Sequence, residues 1–271
     1  MASGYSAAQL MTCVIARDLD NSDRIAYGLH AGIGFGAALI AQSLHAPELQ
    51  IRHGLQAQQK PLLSPPGWSD DRRHRGFEQV SYFESHDEML LWGNPEGSQT
   101  FSNVFFIGGM QIDQYGATNL IGIRHKGRKN GWLVRGPGSV GTTSAAWFCR
   151  KYYLFSFQHD IRTFVPRVDV VSVPGTDRLR QLGYADKFPR LCVTPLGVFG
   201  WDTTAGTMRI VSLHPGVTFD DVRSRTGFDL VRPARLKTTP LPSAQELEAL
   251  RVIDPKGMIL ALDAKMTGRK A

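Results

Sequence analysis

Short apolar runs alternate with segments of helical spacing along this chain. The apolar runs are rich in Val, Ile and Phe, a composition typical of strands buried on both faces of a parallel sheet. A helix beginning near Gly32 separates the first two runs, which makes a strand, helix, strand unit. The pattern predicts an α/β fold with an open, mostly parallel sheet and flanking helices. Its strands are predicted at 24–30, 48–54, 104–112, 168–173, 191–201 and 208–213.

Helix starts are marked by capping residues at three places. Ser6 is followed three residues later by Gln9, and Ser243 by Glu246, which is the spacing of a capping box. Thr218 is placed to cap a short helix near the C-terminus. These signals predict helices after each of the three residues.

The length of 271 residues, with 42% hydrophobic content, is enough for one large domain, which we expect to span 1–271. Residues 56–77 are polar and contain prolines, so we predict a surface loop there. No run approaches the roughly 18 apolar residues of a membrane span, and no signal-peptide pattern is present. We therefore expect a cytoplasmic protein without membrane contact, whose scattered cysteines are reduced: Cys13, Cys149 and Cys192.

The formal charge of +7 fits a basic solvated surface, a nucleic-acid partner or the phosphates of a nucleotide-like ligand. The densest basic cluster, at 72–75, has no aromatic-rich RNA-binding motif or zinc-finger spacing beside it, so we expect no nucleic-acid partner. The eight histidines show no metal-binding spacing, which predicts the absence of a metal site.

Two glycine-rich segments are candidates for binding an anion or a carbonyl. Backbone amides of 28–36, at a helix start, suit a phosphate, while its glycines equally suit close packing of helix on sheet. In the second segment, backbone donors can hold an oxyanion. Its candidate binding residues, with two upstream polar residues, are Gln111, Asp113, Arg135, Gly136, Gly138, Ser139 and Gly141. The alternative is a pair of turns in which Asp113 caps a loop.

An ordered set of segments resembles the beta subunit of class I coenzyme A transferases. The segments, within residues 24–257, are GGMQIDQYGATNL, RGPGSVGTTSA, VDVVSVPG, LCVTPLGVFGWD, MRIVSLHPGVTFDDV and PLPSAQELEALRVIDPKG. They are most similar to the glutaconate CoA-transferase type and to relatives that hydrolytically open a ring in steroid catabolism. The resemblance implies a CoA-transferase-type α/β fold, a homologous alpha-type partner subunit and an acyl-CoA substrate. It implies no tightly bound cofactor, since coenzyme A arrives as part of the substrate.

The resemblance also points to a departure at the catalytic position. Transferase beta subunits carry a nucleophilic glutamate in a Glu-x-Gly segment, and the matching residues here are Arg52, His53 and Gly54. Arginine stays protonated and cannot attack a thioester. The ring-opening relatives also lack this glutamate, which implies that a glutamate of the alpha subunit does the acid–base work. Arg52 would then bind a substrate carboxylate or enolate, or else serve a structural ion pair.

These expectations combine into one functional hypothesis with two alternatives. We expect a beta-type subunit of a heteromeric hydrolase or ring-opening, C–C bond-cleaving enzyme, with Arg52 and His53 as catalytic candidates and Gly54 among the substrate-binding residues. The loop at 136–141 would assist Arg52 by donating to an oxyanion. One alternative is a CoA-transferase with a displaced nucleophile such as Glu48, and the other is a noncatalytic scaffold for the alpha subunit.

Overall fold

The computed structural model describes residues 4–26, 32–53, 56–58, 77–79, 103–125, 127, 131–139 and 141–257, with the backbone alone given for 52–53, 56–58, 77–79, 145, 147 and 148. The chain divides into two compact units. The first combines residues 1–106 with 241–271, and the second consists of residues 107–240. The single domain over 1–271 stays a prediction. Most of the predicted loop at 56–77 and the basic cluster at 72–75 lie outside the described residues.

The first unit is built around three parallel strands. Its elements are α1 (Ala7–Ala16), β1 (Arg24–Ala26), α2 (Gly32–Leu44), β2 (Gln50–His53), β3 (Gln56–Gln58), β4 (Phe77–Gln79), the start of β5 (Val104–Gly108) and a C-terminal helix, Ala244–Ile253. Strand β1 pairs in parallel with β2 on one side and β5 on the other, through Ile25 in both cases. Strands β3 and β4 add antiparallel pairs beyond β2.

The second unit combines a larger sheet with two small hairpins. Its elements are β6 (Gln111–Ile112), β7 (Thr118–Asn119), β8 (Gly122–Arg124), β9 (Trp132–Arg135), α3 (Thr142–Phe148), β10 (Lys151–Phe155), α4 (Thr176–Gln181), β11 (Leu191–Thr194), β12 (Gly197–Trp201), β13 (Met208–Leu213) and α5 (Phe219–Ser224). Strands β10 and β11 are parallel, whereas β11, β12 and β13 are successively antiparallel. Strands β6 and β7 form one hairpin, and β8 and β9 form the other.

The predicted α/β class, with parallel central strands and flanking helices, is confirmed. The C-terminal helix of the first unit is α6, and its capping box joins Ser243 to Glu246 as predicted. The box of Ser6 with Gln9 is also present, and so is the cap by Thr218. All three cysteines are free and buried.

Three strand predictions are corrected by local backbone geometry. The segment 104–112 breaks into β5 and β6 around Gly109, where an added Cβ would lie 2.3 Å from Thr118 Cγ2. The segment 191–201 is a hairpin rather than one strand, because the Thr194 side chain accepts from the Leu196 amide in a turn. The segment 168–173 makes only an isolated bridge, between Val173 and Thr118.

A buried histidine joins distant parts of the second unit. His159 stacks on Phe164 with ring centroids 3.9 Å apart. Its Nδ1 lies 2.9 Å from Thr194 Oγ1 and its Nε2 lies 3.1 Å from Thr226 Oγ1. Because the Thr226 hydroxyl donates its hydrogen to the Val222 carbonyl, Thr226 accepts from His159 Nε2–H. Burial keeps the ring neutral, so its Nδ1 carries no hydrogen and accepts from the Thr194 hydroxyl.

This arrangement predicts a stability that depends on pH. Burial lowers the pKa of His159 to about 3, and Arg225 adds to the shift. In the unfolded chain this imidazole takes up a proton near its ordinary pKa of about 6.5. The free energy of unfolding is therefore at its full value above that pH, and it decreases as the pH falls because only the unfolded state gains the proton. When the pH falls from about 7 to about 5, the free energy of unfolding should decrease in both proteins. We expect this decrease to be about 2 kcal/mol smaller in His159→Gln than in the wild type.

Urea unfolding of both proteins at the two pH values measures this difference. Comparing the two slopes cancels the contributions of other buried titratable groups. Among these are His214, whose pKa is lowered to about 4, and Asp113, whose pKa is raised to about 6, in both cases chiefly by burial. His125→Gln, at an exposed position, is the matched control and should keep the wild-type slope. Equal slopes for His159→Gln and the wild type would contradict the neutral, buried state of His159.

Candidate functional site

Arg52 and His53 end strand β2 in the first unit. Arg52 is in register with Ala26, the last residue of β1, and with Ala57 of β3. Because β1 and β2 are parallel, both strands end at the same edge, where α/β folds bind their ligands. The backbone thus places these two candidates at the carboxyl edge of the two strands, and their catalytic roles stay predictions. The third residue of the segment, Gly54, lies outside the described residues.

The first glycine-rich segment leads into helix α2. An added Cβ on Gly34 would lie 2.3 Å from the Phe106 ring, so this glycine allows the helix to approach β5 closely. Of the two alternatives for the segment, close packing therefore accounts for Gly34. Residues 27–31, which include the start of the segment, lie outside the described residues.

In the second unit, Gln111 positions the chain that enters β8. Its side chain is buried, and its Oε1 accepts hydrogen bonds from Asn119 Nδ2 at 2.7 Å and from the Asp169 amide at 3.0 Å. Asn119 in turn accepts from the amides of Ile121 and Gly122 through its Oδ1. Gln111 therefore acts through Asn119 on residues 121 and 122, while its role as a binding residue stays a prediction.

Asp113 closes a turn within the β6–β7 hairpin. One carboxylate oxygen accepts from the amides of Tyr115 at 2.9 Å and Ala117 at 3.1 Å. The other lies 3.6 Å from an Arg167 nitrogen, which also pairs with Asp177 at 2.7 Å. Burial raises the pKa of Asp113 to about 6, although these hydrogen bonds and Arg167 oppose the shift. The geometry favours the alternative that Asp113 caps a loop.

The glycine loop at 136–141 uses part of its hydrogen-bonding capacity internally. The amides of Gly136 and Gly138 donate to the carbonyls of Ile121 and Leu120, at 2.9 and 3.1 Å. An added Cβ on Gly136 would lie only 2.2 Å from the Leu120 oxygen, so the two segments are in close contact. Gly138 has a φ of +98°, a conformation that favours glycine. These two amides are therefore not free to hold an oxyanion.

Two other amides of the loop keep their donors available. Ser139 and Gly141 have no amide acceptor among the residues that the structure describes. Gly141 has a φ of +76° and precedes helix α3, and the Ser139 carbonyl accepts from both the amide and the hydroxyl of Thr142. Among the described amides of the loop, these two are the remaining candidates for holding an oxyanion, and that role stays a prediction.

Arg135 lies at the junction between β9 and this loop. Its guanidinium lies 4.8 Å from the centroid of the Trp132 ring, and its Nη1 donates to the Ile121 carbonyl at 3.3 Å. Residues 119–122 are thus contacted by four of the candidate residues, directly or through Asn119: Gln111, Arg135, Gly136 and Gly138. Sequence reasoning missed Asn119, although it lies in the same motif as Gln111 and directly opposite it in the β6–β7 register.

Two properties of the described residues bear on the remaining expectations. Within the described ranges, no group of three or more His, Cys, Asp or Glu side chains could hold a metal ion. None of the helices among those residues is long and apolar enough to cross a membrane.

Comparisons with known proteins identify relatives that match most of the chain. No family model matches the sequence. The chain is 35% identical over 224 residues to the cholesterol ring-cleaving hydrolase IpdB subunit of Mycobacterium tuberculosis, covering 82% of this chain and 84% of that one. It is 28% identical over 259 residues to one subunit of the 3-oxoadipate CoA-transferase of Pseudomonas knackmussii, covering 94% of this chain and 95% of the relative.

A solved structure shares the same fold. The glutaconate coenzyme A-transferase from Acidaminococcus fermentans superposes with a TM-score of 0.78 at 24% identity, covering 95% of this chain and 98% of that chain. The fold and the two relatives agree with the resemblance carried by the ordered segments. The chain therefore belongs to the CoA-transferase family, as a beta-type subunit.

Proposed function

We propose that this chain is the beta-type subunit of a heteromeric enzyme that opens a ring of an acyl-CoA by hydrolytic C–C bond cleavage. The observation that carries the proposal is Arg52 at the carboxyl end of β2, where the transferase pattern has a glutamate. The 35% identity to a ring-cleaving hydrolase subunit supports it. The partner is a homologous alpha-type subunit, and the complex works in the cytoplasm without a tightly bound cofactor.

The geometry of β2 argues against a nearby carboxylate as a substitute nucleophile. Glu48 lies in the turn before β2, and its amide is held by Asn21 Oδ1 at 3.0 Å. At about 3.3 Å per residue, the two steps within the strand from Gln50 to Arg52 cover about 7 Å, and Glu48 lies two residues before the strand begins. Glu48 therefore lies beyond the amino end of the strand, far from the carboxyl edge at which Arg52 lies.

Arginine suits ring cleavage better than acyl transfer. Breaking a C–C bond next to a carbonyl leaves electrons that are stabilised as an enolate, and a guanidinium offers a fixed positive fork to such an oxygen. Proton transfer to and from water is assigned to a glutamate of the alpha subunit. The amides of Ser139 and Gly141 are assigned to the acyl-CoA itself, because the neighbouring Gly136 and Gly138 amides are already bonded.

Replacement of Arg52 tests this role. We expect Arg52→Ala to lower kcat by about 100-fold or more, the scale of losing one oxyanion donor, and Arg52→Lys to recover only part because lysine lacks the bidentate fork. Steady-state kinetics of the assembled complex measures both variants. Glu48→Gln, in the turn before the same strand, is the matched control and should keep kcat. Unchanged kcat in Arg52→Ala, with unaltered thermal melting, would leave this chain as a scaffold.

Covalent trapping distinguishes ring opening from CoA transfer. Since arginine cannot form an acyl anhydride, we expect no acyl or CoA adduct on this chain after the complex is incubated with acyl-CoA and treated with borohydride or hydroxylamine. Mass-spectrometric peptide mapping of both chains of the complex detects an adduct if one forms. A trapped carboxylate within 48–54 would instead favour the transferase alternative.

A further inference from the structure

The stretch of sequence from 114 to 159 contains no acidic residue. It holds seven arginines and lysines, a charge equal to the net +7 of the whole chain. Five of the seven lie between 124 and 135, from the end of β8 to the end of β9, and the structure describes two of these five, Arg124 and Arg135. A local excess of positive charge attracts anions, so the β8–β9 hairpin is a candidate anion site.

The two arginines lie on one face of the hairpin. The register pairs Gly122 with Arg135 and, after a shift between Ile123 and Arg124, pairs Arg124 with Trp132. Residues opposite each other in an antiparallel pair share a face, and so do residues two apart within a strand. Arg124, Arg135 and Trp132 therefore project from the same face, around Gly122.

Trp132 fixes the positions of both guanidinium groups. Its ring lies across Gly122, where an added Cβ would approach to 2.6 Å, so the ring fits there because the residue is glycine. The guanidinium carbons of Arg135 and Arg124 lie 4.8 and 5.5 Å from the centroid of this ring. Because both distances start at one centroid, the two carbons are no more than 10.3 Å apart. Contacts with one ring thus hold two like charges close together.

Neither guanidinium is neutralised within the described part of the chain. Both side chains are exposed, and neither forms an ion pair with a described carboxylate. Asp169 accepts from the Arg124 amide at 2.8 Å, a contact with the backbone rather than with the charged group. Arg135 Nη1 donates to the Ile121 carbonyl at 3.3 Å, which leaves its other N–H groups available. Two like charges held close together without a counterion favour an anion that contacts both.

A phosphate group suits this pair better than a carboxylate does. Each guanidinium offers a planar fork of N–H donors that matches two oxygens of one anion. A carboxylate has one charge and two oxygens, which a single guanidinium can satisfy. A phosphate or diphosphate carries more charge and more acceptor oxygens, so it can accept from both forks at once.

We propose that Arg124 and Arg135, held by Trp132, form a phosphate-binding site. An acyl-CoA carries its phosphates at the nucleotide end, and the pantetheine arm separates them from the thioester. Arg135 directly precedes the loop at 136–141, whose remaining free amides are assigned to the acyl-CoA. The site therefore binds the nucleotide end of the substrate, an assignment that rests on the proposed function. It makes the enzyme select CoA thioesters over thioesters of pantetheine alone.

Calorimetric titration of the assembled complex tests the site with coenzyme A, with pantetheine, which lacks the phosphates, and with inorganic pyrophosphate. We expect Arg124→Ala and Arg135→Ala each to weaken binding of coenzyme A and of pyrophosphate by about 10-fold or more, the loss expected for a charge-assisted hydrogen bond. Pantetheine should bind both variants as it binds the wild type. Arg232→Ala is the matched control, because Arg232 is also exposed and lies 5.5 Å from an aromatic ring, that of Phe219, outside the hairpin. It should bind all the probes as the wild type does.

Thermal melting confirms that each variant is folded. Weaker binding of both phosphate-bearing probes to both arginine variants, with pantetheine and the control unchanged, supports the site. If both variants bind coenzyme A as tightly as the wild type does, the phosphate site is wrong while the proposed function stands. If the wild type binds pyrophosphate through these arginines but does not bind coenzyme A, the site takes free phosphates and the proposed function fails.

Two further results would overturn the assignment to the substrate. Equal weakening of pantetheine binding would mean that the substitutions disturb the neighbouring loop rather than remove a phosphate contact. Tighter binding of a DNA duplex than of coenzyme A, lost in the same two variants, would assign the positive charge to a nucleic-acid partner.

Discussion

The ion pair between Arg17 and Glu246 closes a unit whose two parts are far apart in sequence. Arg17 follows α1, and its guanidinium donates to both oxygens of Glu246 at 2.6 Å and to the Leu241 carbonyl at 2.7 Å. Glu246 lies in the first turn of α6 and also accepts from the Ser243 amide. A cation at one helix C-terminus thereby meets an anion at another helix N-terminus, an arrangement that both helix dipoles favour. The strand that carries Arg52 belongs to the unit that this pair completes.

The features that sequence reasoning predicted correctly depend on neighbours within a few residues. The capping box of Ser6 and that of Ser243 require only a partner three residues away, so they are visible in the sequence. The alignment of Arg52 with the glutamate position also rests on a short segment, and it stays a prediction. The His159 contacts, by contrast, join residues 35 and 67 positions apart, which no local pattern specifies.

The glycine loop illustrates the same limit within the candidate site. Its glycine content predicted backbone donors, and the donors are present. Their acceptors were not predictable, because the Leu120 and Ile121 carbonyls reach the loop only through the β8–β9 hairpin. Two of the predicted donors therefore stabilise the fold, and the candidate chemistry moves to Ser139 and Gly141. Composition indicated the kind of group, while its availability depended on tertiary contacts.

The division of the chain into a continuous and a discontinuous unit has a consequence for synthesis on the ribosome. Residues 107–240 are contiguous, so every segment of the second unit has been made before α6 is translated. The first unit has its early strands and helices from the beginning but lacks α6, and with it the partner of Arg17, until the last part of the chain emerges. Domains generally fold as units during synthesis, N-terminal first. Here the N-terminal segments cannot complete their unit until α6 has been made. The second unit therefore has all its segments before the first unit does, although the first unit begins earlier in the chain.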